Sequence, residues 1–312
     1  KEFNTDPNVV LDERKHGWED IWQCKDNEAR ARTNKAIREA IDEAKACGAE
    51  GATLTDERKI AATAGKFKKS TSVGLDLWAI KEIAQCNHED LDKLAGLYRE
   101  WDIEVTAPAQ WLINLMAMLP KKKGHRTVAT MASGYRIYTG LEDEEERQWN
   151  IDNSHEDDSS KPNTSCLRAA EERLIEQEIL SLNGFDTLVV LWDFVKFYDT
   201  IDPAVLREEL SIQGYGFTKI ALTMLVHFAP MLLKLCKVYK GPTKSRGRGI
   251  VAGCGRSGSM ARGLTVRTLG RLRTFCQKLI GVNDTLLAEC KAGVKTEIFV
   301  DDATMILWAK SE

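Results

Sequence analysis

The segment Leu188-Val-Val-Leu-Trp-Asp193-Phe-Val-Lys-Phe-Tyr-Asp199 decides the reading of this chain. Its first five residues are an apolar run that follows Asn183-Gly184, a helix-stop pair. A run so short and so rich in valine predicts a buried strand rather than a helix. The strand ends in a carboxylate, Asp193. Further on, Glu297-Ile-Phe-Val300 and Ala303-Thr-Met-Ile-Leu-Trp308 flank Asp301-Asp302. Two strand-like runs around two turn-tolerant residues predict a hairpin with the acidic pair at its tip.

Adjacent aspartates alone mean little. Asp157-Asp158 also occurs, in the acidic, Asn- and Ser-rich stretch from Glu142 to Pro162, which lacks apolar periodicity and is expected to be a solvated loop. Asp301-Asp302 differs because apolar strands bracket it, and carboxylates near buried β-structure repel one another unless a cation neutralises them. With Asp193 they form a candidate ligand set for Mg²⁺, or Mn²⁺. Nucleotidyl transfer needs such a set: hard oxygens hold two ions about 4 Å apart that activate a 3′-hydroxyl and stabilise pyrophosphate.

The formal net charge of -3 hides a segregation of charge. Between the two acid-bearing segments, Lys237 to Lys278 holds eleven Lys or Arg and no Asp or Glu. Such a tract suits phosphate-backbone contact, and its glycines allow close approach to bases. The 312 residues are 43% hydrophobic and 29% charged, the composition of a globular chain with a core. No apolar run reaches the roughly 18 residues of a membrane span, and the Lys-Glu-Phe-Asn start reads as that of a soluble fragment of something longer. Eight scattered cysteines without a CxxC pair are expected to be reduced and structural, in an intracellular protein.

Outward from these segments the pattern is mostly helical. Helices are expected over Glu28–Glu50 with a stop at Cys47-Gly48, over 76–100, over 105–119, over 203–213 and 217–236, and from about Ser259 to Ile280. Another spans Thr164–Leu182, with Leu167, Ala170, Leu174, Ile175, Ile179 and Leu182 on one stripe. The tract 241–260 reads as loop.

Taken together, the motifs resemble reverse transcriptases of the non-LTR retrotransposon and group II intron type. Asp193-Phe-Val-Lys-Phe-Tyr-Asp199 is similar to their first palm motif, Phe299-Val-Asp-Asp302 to their aromatic-x-Asp-Asp signature, and Arg248-Gly-Ile-Val-Ala-Gly-Cys-Gly-Arg-Ser257 to the Gly-rich motif between. Upstream, Val73-Gly-Leu-Asp-Leu-Trp-Ala-Ile-Lys81 and Leu119-Pro-Lys-Lys-Lys-Gly-His-Arg-Thr-Val128 resemble fingers segments. The resemblance covers about residues 66–312. It implies an α+β right-hand polymerase core with an antiparallel palm sheet on helices, fingers over 66–182, palm over 183–312, no thumb, and an unassigned helical region over 1–65.

The resemblance implies RNA-directed DNA polymerase activity with an RNA template, a DNA primer and dNTPs as partners. Asp193 and Asp301 would be direct metal ligands and Asp302 would support them. Tyr198 matches the aromatic gate that excludes a ribose 2′-hydroxyl, although a one-residue shift would give that role to Phe197. Lys121, Lys122, Lys123 and Arg126 match positions that grip the triphosphate, the individual lysine being open. Arg248, Gly249 and Gly253 fall in the motif that faces substrate and template. Ala252 stands where the family usually has Gln, and Gly255 and Gly258 where prolines are usual. Those departures keep open a second reading, a catalytically degenerate nucleic-acid-binding protein. An RNA-dependent RNA polymerase is a third, opposed by Tyr198 and by Val300 before the Asp pair. A helical scaffold is a fourth, and it leaves the two acid-bearing strands unexplained.

Overall fold

The structure is a computed structural model that describes residues 6–48, 56–120, 125–156, 158–161, 164–279, 292–299 and 302–310. The helices are α1 Pro7–Ile21, α2 Asn27–Cys47, α3 Glu57–Lys66, α4 Ile80–Ile83, α5 His88–Glu104, α6 Ser133–Leu141 and α7 Asp143–Asp152. They continue with α8 Cys166–Leu182, α9 Phe197–Thr200, α10 Pro203–Ile212, α11 Phe217–His227 and α12 Ser257–Leu279. The strands are β1 Asn114–Pro120, β2 His125–Thr130, β3 Phe185–Asp193, β4 Met231–Leu235, β5 Val238–Lys240, β6 Ala292–Phe299 and β7 Asp302–Lys310. The chain divides into two compact units, residues 1–146 with 198–258, and residues 147–197 with 259–312. The stretches 66–182 and 183–312 each contribute to both units, and residues 1–65 belong to the first.

In the first unit, Asp26 caps α2 by accepting from the amides of Glu28 and Ala29, and Gly48, at φ 68°, ends it where Cys47-Gly48 predicts. Ala29, Thr33, Ala36, Ala40 and Ala44 are buried along one face of α2, and these small side chains let the helix lie against α10 and α11. The helix expected over 105–119 is not formed. A single 3₁₀ turn over Ala109–Trp111 leads instead into β1. That strand is central in the sheet order β2-β1-β4-β5, antiparallel to β2 and parallel to β4. Covered on both faces, Leu115, Met116 and Met118 are all buried, so the strand reads as a continuous apolar run that mimics a helix. The helix expected over 217–236 is likewise cut: α11 stops at His227, Pro230 follows, and the chain enters β4. A cluster of Tyr98, Trp101, Trp111, Tyr135 and Tyr138 rings fills the core beside β1.

In the second unit, β3, β7 and β6 form an antiparallel sheet in that order. The expected strand at 188–192 is present, and β6 pairs antiparallel with β7 as the hairpin requires, but Asp302, expected as a turn residue at the tip, is the first residue of β7 and pairs with Phe299. The burial expected for the strand is not found: β3 is an edge strand, and Leu188 and Leu191 are exposed at 62% and 70%. The helix α8 forms over the expected span and packs on β3, but with the opposite face inward. Its stripe residues Leu167, Leu174, Ile175, Ile179 and Leu182 are exposed. Ala169 is buried instead, Arg173 donates from Nη1 to Thr304 Oγ1 at 2.6 Å and pairs with Glu297 at 3.2 Å, and Lys295 donates to Glu176 at 2.5 Å. These charge-assisted bonds select the face that meets the sheet.

The solvated loop expected over 142–162 is also corrected. Its acidic run forms α7, whose first turn holds Asp143, Glu144, Glu145 and Glu146, where carboxylates complement the helix dipole. Asp158, expected in a solvated turn, is buried at 1% exposure and accepts from Arg262 Nε at 2.9 Å and Nη2 at 2.5 Å. Asp157 lies outside the described residues. Among the described residues seven cysteines are free; Cys24 and Cys254 are buried, whereas Cys47, Cys166 and Cys236 are exposed. No helix among them is long and apolar enough to cross a membrane.

Candidate active site

The register of the second unit's sheet brings two of the three candidate acids together. In the antiparallel pairing of β3 with β7, Asp193 is the direct partner of Asp302, and on the other side Asp302 pairs with Phe299 of β6. Direct cross-strand partners hold their Cβ atoms about 4.5–5.5 Å apart. Both aspartates are exposed at the sheet's end, reachable by ions. Like charges directly opposite are destabilising, and a divalent cation between hard oxygens offsets that repulsion. Asp301, the remaining acid, lies outside the described residues, as does Val300. Among the described residues no three His, Cys, Asp or Glu side chains form a metal-holding cluster. After β3 the backbone turns sharply, with Lys196 at φ 53°, and the Phe194 and Phe197 rings sit 5.7 Å apart.

The first unit carries Tyr198 and the Gly-rich segment. Tyr198 is half-buried, and its carbonyl accepts from the Ile250 amide at 2.7 Å, while the Gly249 amide donates to the Ile201 carbonyl at 2.7 Å. The loop 247–250 thus runs against 198–201. Gly249 adopts φ 84°, and a Cβ there would stand 2.5 Å from the Asp199 carbonyl oxygen, so glycine is required twice over. Gly253, at φ 103°, lies against β2, where a Cβ would meet the Ala129 carbonyl at 3.2 Å. Ala252 accepts from the Ala129 amide at 3.4 Å through its carbonyl. Lys121, Lys122 and Lys123 lie outside the described residues. The backbone of Arg126 lies in β2, opposite Leu119 of β1.

The basic tract is less available than its sequence suggests. Arg246, Arg256 and Arg262 are buried. Arg246 donates to the His227 carbonyl, from Nε at 3.0 Å, and lies over the Trp22 and Phe228 rings. Arg256 pairs with Glu142, donates to Thr223 Oγ1 at 3.0 Å and stands over the Tyr138 ring, with Glu146 at 3.7 Å. Arg248 donates to the Ile21 carbonyl at 2.7 Å, Lys240 to Asp12 at 2.7 Å, and Arg273 to Glu156. Most of the acids that balance the tract come from distant segments, so sequence reading could not find them. Lys237, Lys244, Arg271 and Lys278 stay exposed.

Burial also shifts groups that no motif marks. His227 is fully buried, neither ring nitrogen has a hydrogen-bond partner, and burial with the neighbouring Arg246 charge pushes its pKa down to about 3. Burial raises the Cys24 and Cys254 thiols to about 11, which keeps both protonated and unreactive.

No protein-family model and no curated protein matches this chain. Among solved structures it is similar to an apo telomerase from Candida tropicalis truncated from its C-terminal domain. That likeness has 13% identity and a TM-score of 0.47, over 72% of this chain and 50% of that one. A telomerase from Candida albicans in complex with a TWJ fragment of telomeric RNA matches at 11% identity and a TM-score of 0.46, over 69% of this chain and 42% of that one. This chain therefore spans half or less of the length of those proteins. At such identities and scores, the reading of the site rests on the chain's own geometry.

Proposed function

We propose that this chain is the catalytic part of a retroelement's RNA-directed DNA polymerase, adding deoxynucleotides to a DNA primer on an RNA template. The observation that carries the reading is the pairing of Asp193 with Asp302 across β3 and β7, two acids far apart in sequence that the motifs had already singled out. Asp193 and Asp301 would hold the divalent cations, Mg²⁺ or Mn²⁺, with Asp302 supporting them. Bound there, the ions would supply activation of the primer hydroxyl and stabilisation of the leaving pyrophosphate. Tyr198 would exclude the 2′-hydroxyl, and Lys121, Lys122, Lys123 and Arg126 would grip the triphosphate. Arg248 acts in this reading through its bond to Ile21, with Gly249 and Gly253 shaping the substrate-facing loop.

The second reading, a nucleic-acid-binding protein without turnover, is favoured by Ala252, Gly255 and Gly258 in the Gly-rich motif. Primer extension on matched RNA and DNA templates, with dNTPs against NTPs, separates the two. The polymerase reading expects dNTP addition on RNA. Binding of template-primer with no extension would establish the other.

A further inference from the structure

Residues 1–65 have no assigned role, yet the link between α1 and α2 meets the segment that carries Tyr198. Trp22 is completely buried, and its indole Nε1 donates to the Asp199 carboxylate at 2.7 Å. The same short link holds the Gly-rich loop: the Gly247 amide donates to the Trp22 carbonyl at 2.8 Å, and Arg248 donates to the Ile21 carbonyl. The first turns of α2 complete the seat, with Thr33 Oγ1 donating to the Gly247 carbonyl at 2.7 Å. Gly247 packs so tightly that a Cβ would stand 2.9 Å from Ala29 Cβ and 3.0 Å from the Gln23 carbonyl. The loop then reaches 198–201 through its Gly249 and Ile250 amides. The link, the loop and the Tyr198 segment thus close a ring of contacts within the first unit, with the Trp22–Asp199 bond as the direct tie between its ends.

We infer that Trp22 is a positioning residue for the nucleotide-selecting segment, so that the link between α1 and α2 braces the Tyr198 segment instead of belonging to a separate module. The inference rests on the proposed function for the meaning of Tyr198, but its geometry does not. An indole N–H that donates to a carboxylate fixes both the carboxylate and the peptide bearing it. Asp199 follows Tyr198 directly, so the bond sets where the Tyr198 ring can lie. A gate works by refusing an oxygen atom's worth of space, and a slack segment cannot refuse it. Trp22→Phe removes the donor and keeps a packed ring.

The test reads amide hydrogen exchange at Gly249 and Ile250 together with dNTP-over-NTP selectivity, in the full chain carrying Trp22→Phe, with Trp18→Phe as control. Trp18 stacks on Trp22 at 5.0 Å and supplies the ring packing for comparison. The inference expects Trp22→Phe to speed exchange at both amides by about 10-fold or more, the loss of one charge-assisted bond. It also expects a higher KM for dNTPs and lower selectivity with kcat little changed, while Trp18→Phe moves neither. Unchanged exchange in Trp22→Phe overturns the inference, and so does faster exchange with intact selectivity. If the parent does not polymerise, the proposed function fails alone, and the exchange rates still decide whether Trp22 holds the segment.

Discussion

Arg256 tests whether the basic tract is an interface or a scaffold. Its guanidinium is fully buried between Glu142, at 2% exposure, and Glu146, at 8%, and it also bonds Thr223. Arg256→Met keeps much of the apolar stem and deletes the charge, leaving two buried carboxylates without it. Removing one partner of a buried ion pair costs about 3–5 kcal/mol, mainly through the charge left behind. In a unit of this size that is a fall in Tm of roughly 6–20 °C, at about 2–4 °C per kcal/mol. Exchange of the α2 and α11 amides during urea titration reports on the unit concerned, and scanning calorimetry gives the Tm. Adding Glu142→Gln and Glu146→Gln should restore much of the loss, because the cost lies in the unpaired charges. At a temperature where the variant is folded, the salt dependence of RNA affinity should match the parent, whereas Lys244→Ala should lower that slope by about 1. A variant within about 1 kcal/mol of the parent that has lost salt-dependent RNA binding would refute the scaffold assignment.

Other outcomes follow from the same packing. His227 titrates near 6.5 in the unfolded chain and near 3 in the fold. Above pH 6.5 it is neutral in both states and costs nothing, and between 6.5 and 3 only the unfolded chain takes the proton. Stability should therefore fall with acid, by about 2 kcal/mol at pH 5, and His227→Phe should remove that part of the slope in urea titrations across pH. Gly249→Ala meets the Asp199 carbonyl at φ 84° and should cost about 2 kcal/mol or more, whereas Gly258→Ala, with nothing within 4 Å, should cost nothing measurable in the same denaturation assay. Asp158→Ala strands the buried Arg262 and should lower the second unit's stability by about 3 kcal/mol or more, measured through the exchange of β6 and β7 amides.

The acid-bearing strand, the hairpin, α2 and α12 were legible because each carries its own local signal: an apolar run with a carboxylate end, a turn between two runs, a capped helix with a glycine stop. Residues 217–236 read as one helix because α11 and β4 are both apolar and meet across Pro230, and residues 105–119 read as a helix for a different physical reason. Central strands such as β1 lose the two-residue alternation when both faces are covered, and the remaining spacing of Trp111, Leu115, Met116 and Leu119 imitates a helix. The face of α8 was misread because its ion pairs with Glu297 and Lys295 lie more than a hundred residues away in sequence. The same distance hides the partners of Arg256 and Arg262, so the tract looks more available than it is. Of the candidate site, the pairing of Asp193 with Asp302 is visible in the fold, whereas nothing local in the sequence announces Trp22.

The most direct measurement is single-turnover primer extension on an RNA template, with Mg²⁺ varied, for the parent, Asp193→Asn and Asp301→Asn. The account predicts extension that saturates with Mg²⁺ in the parent and falls by about 1000-fold or more in both variants while template-primer binding persists. Extension by Asp193→Asn at the parent's rate and Mg²⁺ dependence would contradict it.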